Sequence, residues 1–228
     1  MSSAARPHPH CVHKSVTRRC SDPWLKTVVG LLLALLIRSP PGRISGGHIN
    51  PAISFAMWRF GVFPGTAVAP YVVAQLAGSA LGVLAGRAVW GHPVAEPPVT
   101  FAVLQPGAGW TAAEVFAGEA LTMGVVVHLV GRFLERRSLA PLVPWLVGFL
   151  IGAAIASLGT LTGGCANPAR QFGPAVVSGQ LNFLWVYLVA PLVGAAAAAF
   201  IIGHTHKRRP VLTHRLCGTQ ASGAPIRK

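Results

Sequence analysis

The amino-acid sequence predicts an all-α membrane protein, a helical bundle built as an inverted repeat with two re-entrant half-helices. Three observations lead there. Charged residues make up only 11% of the chain and hydrophobic residues 52%, with a mean hydropathy of +0.55; soluble domains carry about 25% charged residues. Apolar segments recur at lengths near the ~20 residues a spanning helix needs. The stretch GGHINPAISF at 46–55 returns as GGCANPARQF at 163–172, with six of ten positions identical.

The elements follow in order. Apolar segments fall at about 24–37, 65–90, 112–133, 139–159 and 183–203. The last four are long enough to span. The first, WLKTVVGLLLALLI, has 14 residues, about 21 Å of helix, and reads as a short span. Each Gly-Gly copy leads into PAISFAMWRFG or PARQFGPAVVSG. These give about 10 residues of helix, about half of a 30 Å hydrocarbon core. Two such pieces end to end make one span. The expected organisation is a basic His-containing tail at 1–23, disordered, and a channel-like domain at 24–203 with halves 24–90 and 112–203. A basic tail follows at 204–228.

Charge sets an expected orientation. Arg38, Arg43 and Arg59 flank the first half-helix, Arg132, Arg136 and Arg137 sit between spans, and Lys207, Arg208 and Arg209 follow the last one. The loop at 91–111 contains no Lys or Arg. Basic loops stay in the cytoplasm, so the first half-helix enters from inside, the second from outside, and the C-terminus is cytoplasmic. The second half then reads span, span, half-helix, span, whereas the first lacks its opening span: about five full spans instead of six. With five spans the N-terminus lies outside, yet residues 1–26 carry Arg6, Lys14, Arg18, Arg19 and Lys26. The conflict leads to the expectation of a truncated or wrongly started reading frame, with a native five-span form as the alternative.

The repeated motif has a local chemical explanation. Proline is best tolerated at the first helical position, where its missing N–H would have no partner, and asparagine is a good N-cap. Pro51 and Pro168 therefore open helices that Asn50 and Asn167 cap. Irregular backbone at membrane depth persists only where protein or a water-filled cavity satisfies it. Both half-helices point their N-termini, each with about half a positive charge, at the bilayer centre. Such ends repel cations, and the two Asn amides can donate to a passing water.

SGGHINPA, NPARQFGPA, YVVAQLAGSALG and GEALTMGVVVHLV resemble the major intrinsic protein family, the aquaporins and aquaglyceroporins, over about residues 27–203, without that family's first span. The resemblance implies an aquaporin-like bundle, usually a homotetramer, that passes water or small neutral solutes such as glycerol. It implies a pore motif of Asn50, Pro51, Ala52, Asn167, Pro168 and Ala169. Gly30, Ile155, Gly164 and Arg170 would form the outer selectivity constriction; an insertion in RSPPGR would shift Gly30 by one residue. Glu119 would support the second re-entrant loop, with Glu114 the competing choice. Little bulk opposite Arg170 argues for a wide pore. Gln171, where glycerol channels carry Asp, argues against it.

Other residues leave two readings each. His48 lines the inner vestibule or only packs, Cys165 faces the pore or is an inert small residue, and Gln75 fits helix–helix hydrogen bonding. His128 reads as structural. The net charge of +14 lies in loop clusters rather than an aromatic-interleaved stripe, which excludes nucleic acid as a partner. The four cysteines form no CxxC, so no disulfide framework is indicated, and no metal site or cofactor is expected. RPHPHCVHK could at most bind a metal weakly. No catalytic constellation lies in the spans, so an enzyme is not expected. The rivals are a secondary transporter, which would share broken helices and inverted repeats, and a truncated, non-conducting relic.

Overall fold

The chain forms the expected all-α bundle with two half-helices. The computed structural model describes residues 23–205 and 210–219; the His-rich start, with its possible metal site, lies outside them. Helix α1 is Pro23–Arg38, followed by a single turn and a half, α2, at Pro40–Ser45, which Ser39 caps. The first half-helix, α3, is Pro51–Arg59, and α4 is Gly65–Trp90. In the second half α5 is Ala112–Leu134, α6 is Val143–Leu158, the half-helix α7 is Pro168–Ser178 and α8 is Leu184–Thr205. Among the described residues four helical segments, Gly65–Trp90, Ala112–Leu134, Ala140–Leu158 and Leu184–Thr205, are long and apolar enough to cross a membrane. The 16 residues of α1 make about 24 Å of helix, short of that length.

The two halves interlock. Half-helix α3 lies against α8, the last long helix of the opposite half, and α7 lies against α4 in the same way, while α1 packs on α6 across the middle. In lipid no hydrophobic drive separates helix from bilayer, so small residues and close backbones do the packing. At the crossing of α5 and α8, a Cβ on Gly194 would strike the carbonyl of Ala120. At the crossing of α1 and α6, Gly30 and Gly148 meet backbone to backbone in the same way. The ring of α4 is different. None of its residues is buried, and Gly78 and Gly82 face open space. What α4 does hold is α7: Ser79 Oγ donates to the carbonyl of Ala169 and accepts from the Gly173 amide at 3.0 Å.

The apolar core gathers around α3. Ala52, Met57, Met123, Val127, Val130 and Ala195 are shielded from solvent there. A smaller cluster of Val115, Cys165, Val186, Tyr187 and Ala190 sits under the second half-helix. Both clusters press on the loops that lead into α3 and α7, so the half-helix starts are rigidly placed.

Candidate functional site: two half-helices meeting at their starts

The Asn-Pro steps build the centre of the molecule. Asn50 Oδ1 accepts from the amide of Ala52 at 2.9 Å, and Asn167 Oδ1 accepts from those of Ala169 and Arg170 at 3.0 and 3.3 Å. Each carbonyl oxygen thus closes the start of its own helix. Each amide nitrogen crosses to the other copy. Asn50 Nδ2 donates to the carbonyl of Ala166 at 2.8 Å, and Asn167 Nδ2 donates to that of Ile49 at 2.9 Å.

The crossing requires an unusual backbone. Ile49 and Ala166 have φ of 47° and 45°, a left-handed conformation that a β-branched residue rarely adopts. That turn swings each carbonyl toward the opposite asparagine. The identical conformation at both copies marks a built feature, held because the reciprocal hydrogen bonds over-determine it. An amide NH2 has two N–H groups, and the crossing bond occupies one of them.

The two loops are braced differently. Glu119, fully buried, braces the second. Its carboxylate accepts from Thr162 Oγ1 at 2.7 Å, Cys165 N at 3.0 Å and Ala166 N at 2.6 Å, and Tyr187 Oη donates to the Thr162 carbonyl at 2.5 Å. Glu114, by contrast, is exposed and forms the capping box of α5 with Thr111. The first loop is braced by His48, whose Nδ1 lies 3.1 Å from Ser54 Oγ, with Gln75 Nε2 donating to the same hydroxyl at 3.1 Å. Cys165 is buried and its thiol donates to the Asn167 carbonyl at 3.1 Å.

Beyond the second half-helix start the arrangement centres on Arg170. Its guanidinium is exposed and donates to the carbonyl of Ala102 at 2.9 Å. Gly164 sits against α6: a Cβ there would lie 2.7 Å from the Ala154 carbonyl and 3.1 Å from Ile155 Cα. Ile155 and Gly164 are therefore brought together. Gly30 stands elsewhere, at the α1–α6 crossing, and a side chain at that position would meet the Gly148 backbone. A groove of about 500 Å³ runs along that crossing, past Lys26, Gly30, Trp145, Gly148 and Phe149. It contains neither asparagine and not Arg170.

Two features were not anticipated. Gln171 is buried and holds both backbone groups of Leu104. Residues 210–219, expected only as a basic tail, fold back on the end of the bundle where α3 terminates. Leu212 N donates to the Leu134 carbonyl at 3.1 Å and Leu216 N to that of Gly46 at 2.9 Å. Val211 and Leu216 join the main core; these apolar residues amid basic ones were the available signal.

The family model described as Major intrinsic protein matches residues 12–202. The chain is 35% identical over 188 residues to a probable aquaporin, AqpM, of Archaeoglobus fulgidus, covering 78% of this chain and 76% of that one. It is 34% identical over 180 residues to aquaporin-8 of Mus musculus, covering 76% of this chain and 66% of the relative. A probable aquaporin of Arabidopsis thaliana, NIP7-1, is 32% identical over 195 residues, covering 85% and 66%. The chain thus spans about two thirds of the length of the latter two. Among solved structures, the aquaglyceroporin from Plasmodium falciparum superposes with a TM-score of 0.61 at 21% identity, covering 69% of this chain and 72% of that one; the likeness is one of fold.

Proposed function

The chain belongs to the major intrinsic protein family, and from that premise we propose a passive channel that carries water and small neutral solutes, glycerol among them, and excludes protons and ions. The observation that carries the reading is the reciprocal pairing of Asn50 and Asn167 at two facing half-helix starts. Both helix ends present positive dipole there. A neutral molecule with an oxygen can accept from the free N–H of each amide. A cation meets two positive ends and no carboxylate, since the one buried acid nearby, Glu119, is turned into the loop backbone by three donors. A secondary transporter would need an ion-coupling carboxylate open to its pathway, so the arrangement favours the channel. No catalytic role is assigned to any residue.

Solute size follows from the outer end. In our reading Ile155, Gly164 and Arg170 line the constriction, with Ile155 offering an apolar wall and Arg170 donors. The flat hydrocarbon side and hydroxyl side of a polyol suit that pair. For topology, the tail at 210–219 touches the loop after Ser45 and the end of α5, the end flanked by Arg43 and Arg132; that end is proposed to be cytoplasmic. The plasma membrane and a homotetramer complete the proposal. The test is osmotic. Vesicles holding the protein are shocked with glycerol and followed by light scattering. Shrinkage and re-swelling both faster than in empty vesicles support the reading, and rates equal to empty vesicles reject it.

A further inference from the structure

We propose that Gln171 is a positioning residue for the outer constriction: its amide clamps Leu104 and so fixes the Ala102 carbonyl on which Arg170 is hung. The proposal rests on the channel reading above. Gln171 is 1% exposed, and no solute reaches it. Its Oε1 accepts from Leu104 N at 3.0 Å and its Nε2 donates to Leu104 O at 2.9 Å. One side chain thus satisfies both backbone groups of a loop residue, as a neighbouring strand would. The side-chain amide suits the task, because it presents a donor and an acceptor side by side without carrying charge.

The loop needs such a clamp. Thr100, Phe101 and Ala102, immediately before it, all have positive φ, at 40°, 54° and 58°. Three successive non-glycine residues in that region are disfavoured, and they persist only where the surroundings over-determine them. Phe101 is buried beneath the Arg87 guanidinium, 5.9 Å from the ring centre. Leu104 is pinned a second time, because its side chain fills the space where a Cβ of Gly163 would stand, at 3.0 Å. Gly107 N donates to the Leu161 carbonyl at 2.7 Å. The strained turn is therefore tied to the loop that carries Gly164 and to the helix that carries Arg170. What the turn delivers is the Ala102 carbonyl, 2.9 Å from the Arg170 guanidinium. Without the clamp that carbonyl is free to relax, and Arg170 loses its fixed position while keeping its charge.

A buried glutamine that merely fills space would affect stability alone. A clamp acting through Arg170 affects solute discrimination, and only while Arg170 is present. The experiment is a double-substitution cycle on the full chain, with water and glycerol permeabilities measured on the same vesicles. Gln171→Met keeps the shape and removes both hydrogen bonds to Leu104, together with the 3.5 Å one that Oε1 accepts from Arg170 Nη1. It should change the water-to-glycerol permeability ratio by about fivefold, the size expected of coupled neighbours. In an Arg170→Ala background it should leave the ratio where Arg170→Ala alone puts it. Gln171→Glu, which retains an acceptor for Leu104 N, should fall between and serves if the Met variant fails to fold. An unchanged ratio in a conducting protein, or equal changes in both backgrounds, would overturn the clamp. A parent protein no faster than empty vesicles would instead overturn the channel reading, and the clamp's function with it.

Discussion

The imidazole Nε2 of His48 lies 3.0 Å from the backbone carbonyl of His214, 166 residues further along the chain. The contact joins the loop ahead of the first Asn-Pro-Ala copy to a segment beyond the last spanning helix. Since a carbonyl only accepts, Nε2 carries the hydrogen, and Nδ1 is left to accept from Ser54. The His214 ring lies tilted at 46° against Phe63, centres 5.4 Å apart, and Phe63 packs edge-on against Tyr71 of α4. The tail is therefore part of the brace behind Asn50.

Leu216 should be the residue that holds this tail down. It is 1% exposed and sits in the main core. A buried leucine contributes about 2–5 kcal/mol against truncation, so a charge there should expel the segment. With Cys11 and Cys20 changed to serine, maleimide labelling of the half-buried Cys217 reports the release. Leu216→Glu should speed labelling by about tenfold or more, equivalent to about 1.4 kcal/mol. Equal rates in parent and variant would show that the segment is not held through this side chain.

Acid should loosen the same contact. The His214 pKa is held below its ordinary 6.5, first by burial and then by Arg215 beside it, with a hydrogen bond to the Val62 backbone opposing both. His48 and Tyr71 are the other titratable groups in this aromatic cluster. A lowered histidine pKa means that the docked tail prefers the neutral ring. Docking is then at full strength above 6.5 and weakens as the pH falls below that value. Cys217 labelling, corrected with a free peptide of residues 211–219, should show protection steady down to pH 6.5 and falling from there to about pH 5.5. His214→Gln should flatten most of that change; a slope unaltered by the substitution would assign it to another group.

Much of this was legible in the sequence because it rests on local rules. The Asn-Pro pairs announce half-helices through capping chemistry alone, and α3 and α7 begin at Pro51 and Pro168. Long-range partners were harder. The reciprocal Asn bonds depend on left-handed turns at Ile49 and Ala166, residue types that give no warning of such a conformation. Gln171 read only as a departure from a glycerol-channel pattern, since nothing local links it to Leu104. Gly30 came in through the family resemblance, which carries no information on which way a helix face turns; its missing Cβ points at Gly148.

Glu119 should matter more for assembly than for permeation. Glu119→Leu leaves the amides of Cys165 and Ala166 and the Thr162 hydroxyl without their acceptor in a dry site. Each buried unpaired donor costs about 1–3 kcal/mol, so the loss should total several kcal/mol. Fluorescence-detected melting in detergent should show a marked fall in Tm relative to parent. Glu114→Leu, which removes only an exposed cap, should cost about 1 kcal/mol. Similar losses from the two substitutions would contradict the bracing role.

Asn167→Asp should let cations in. The substitution puts a carboxylate at a positive half-helix end and removes the donor that reaches Ile49. A full negative charge there outweighs about half a positive one. Cation leak through vesicles, read with an internal sodium-sensitive dye, should rise about tenfold, a change of about 1.4 kcal/mol in the barrier. Asn167→Ser, which adds no charge, should stay ion-tight. Leak from both variants would point to a loop that has come apart, and leak from neither would remove Asn167 from the ion barrier.

Pore width is best tested at Ile155. Gly164 looks from the sequence like the position to fill, yet it has φ of 59° and its Cβ would lie 2.7 Å from the Ala154 carbonyl. A phenylalanine there would push the loop off α6, and any lost flux would then report damage rather than narrowing. Ile155 has ordinary helical backbone in α6 and is only partly buried, so a larger ring can be placed there without backbone strain. Selectivity in such pores depends on diameter and on the donors lining it. Ile155→Phe should therefore cut the glycerol re-swelling rate by about tenfold, an added barrier of about 1.4 kcal/mol, and spare most of the water shrinkage rate, since a single water needs far less width. Ile155→Val should do the reverse to a smaller degree. If both rates fall together in Ile155→Phe, the ring blocks the path outright. If neither changes while the protein keeps its melting temperature, Ile155 does not line the constriction, and the solute range proposed here loses its basis.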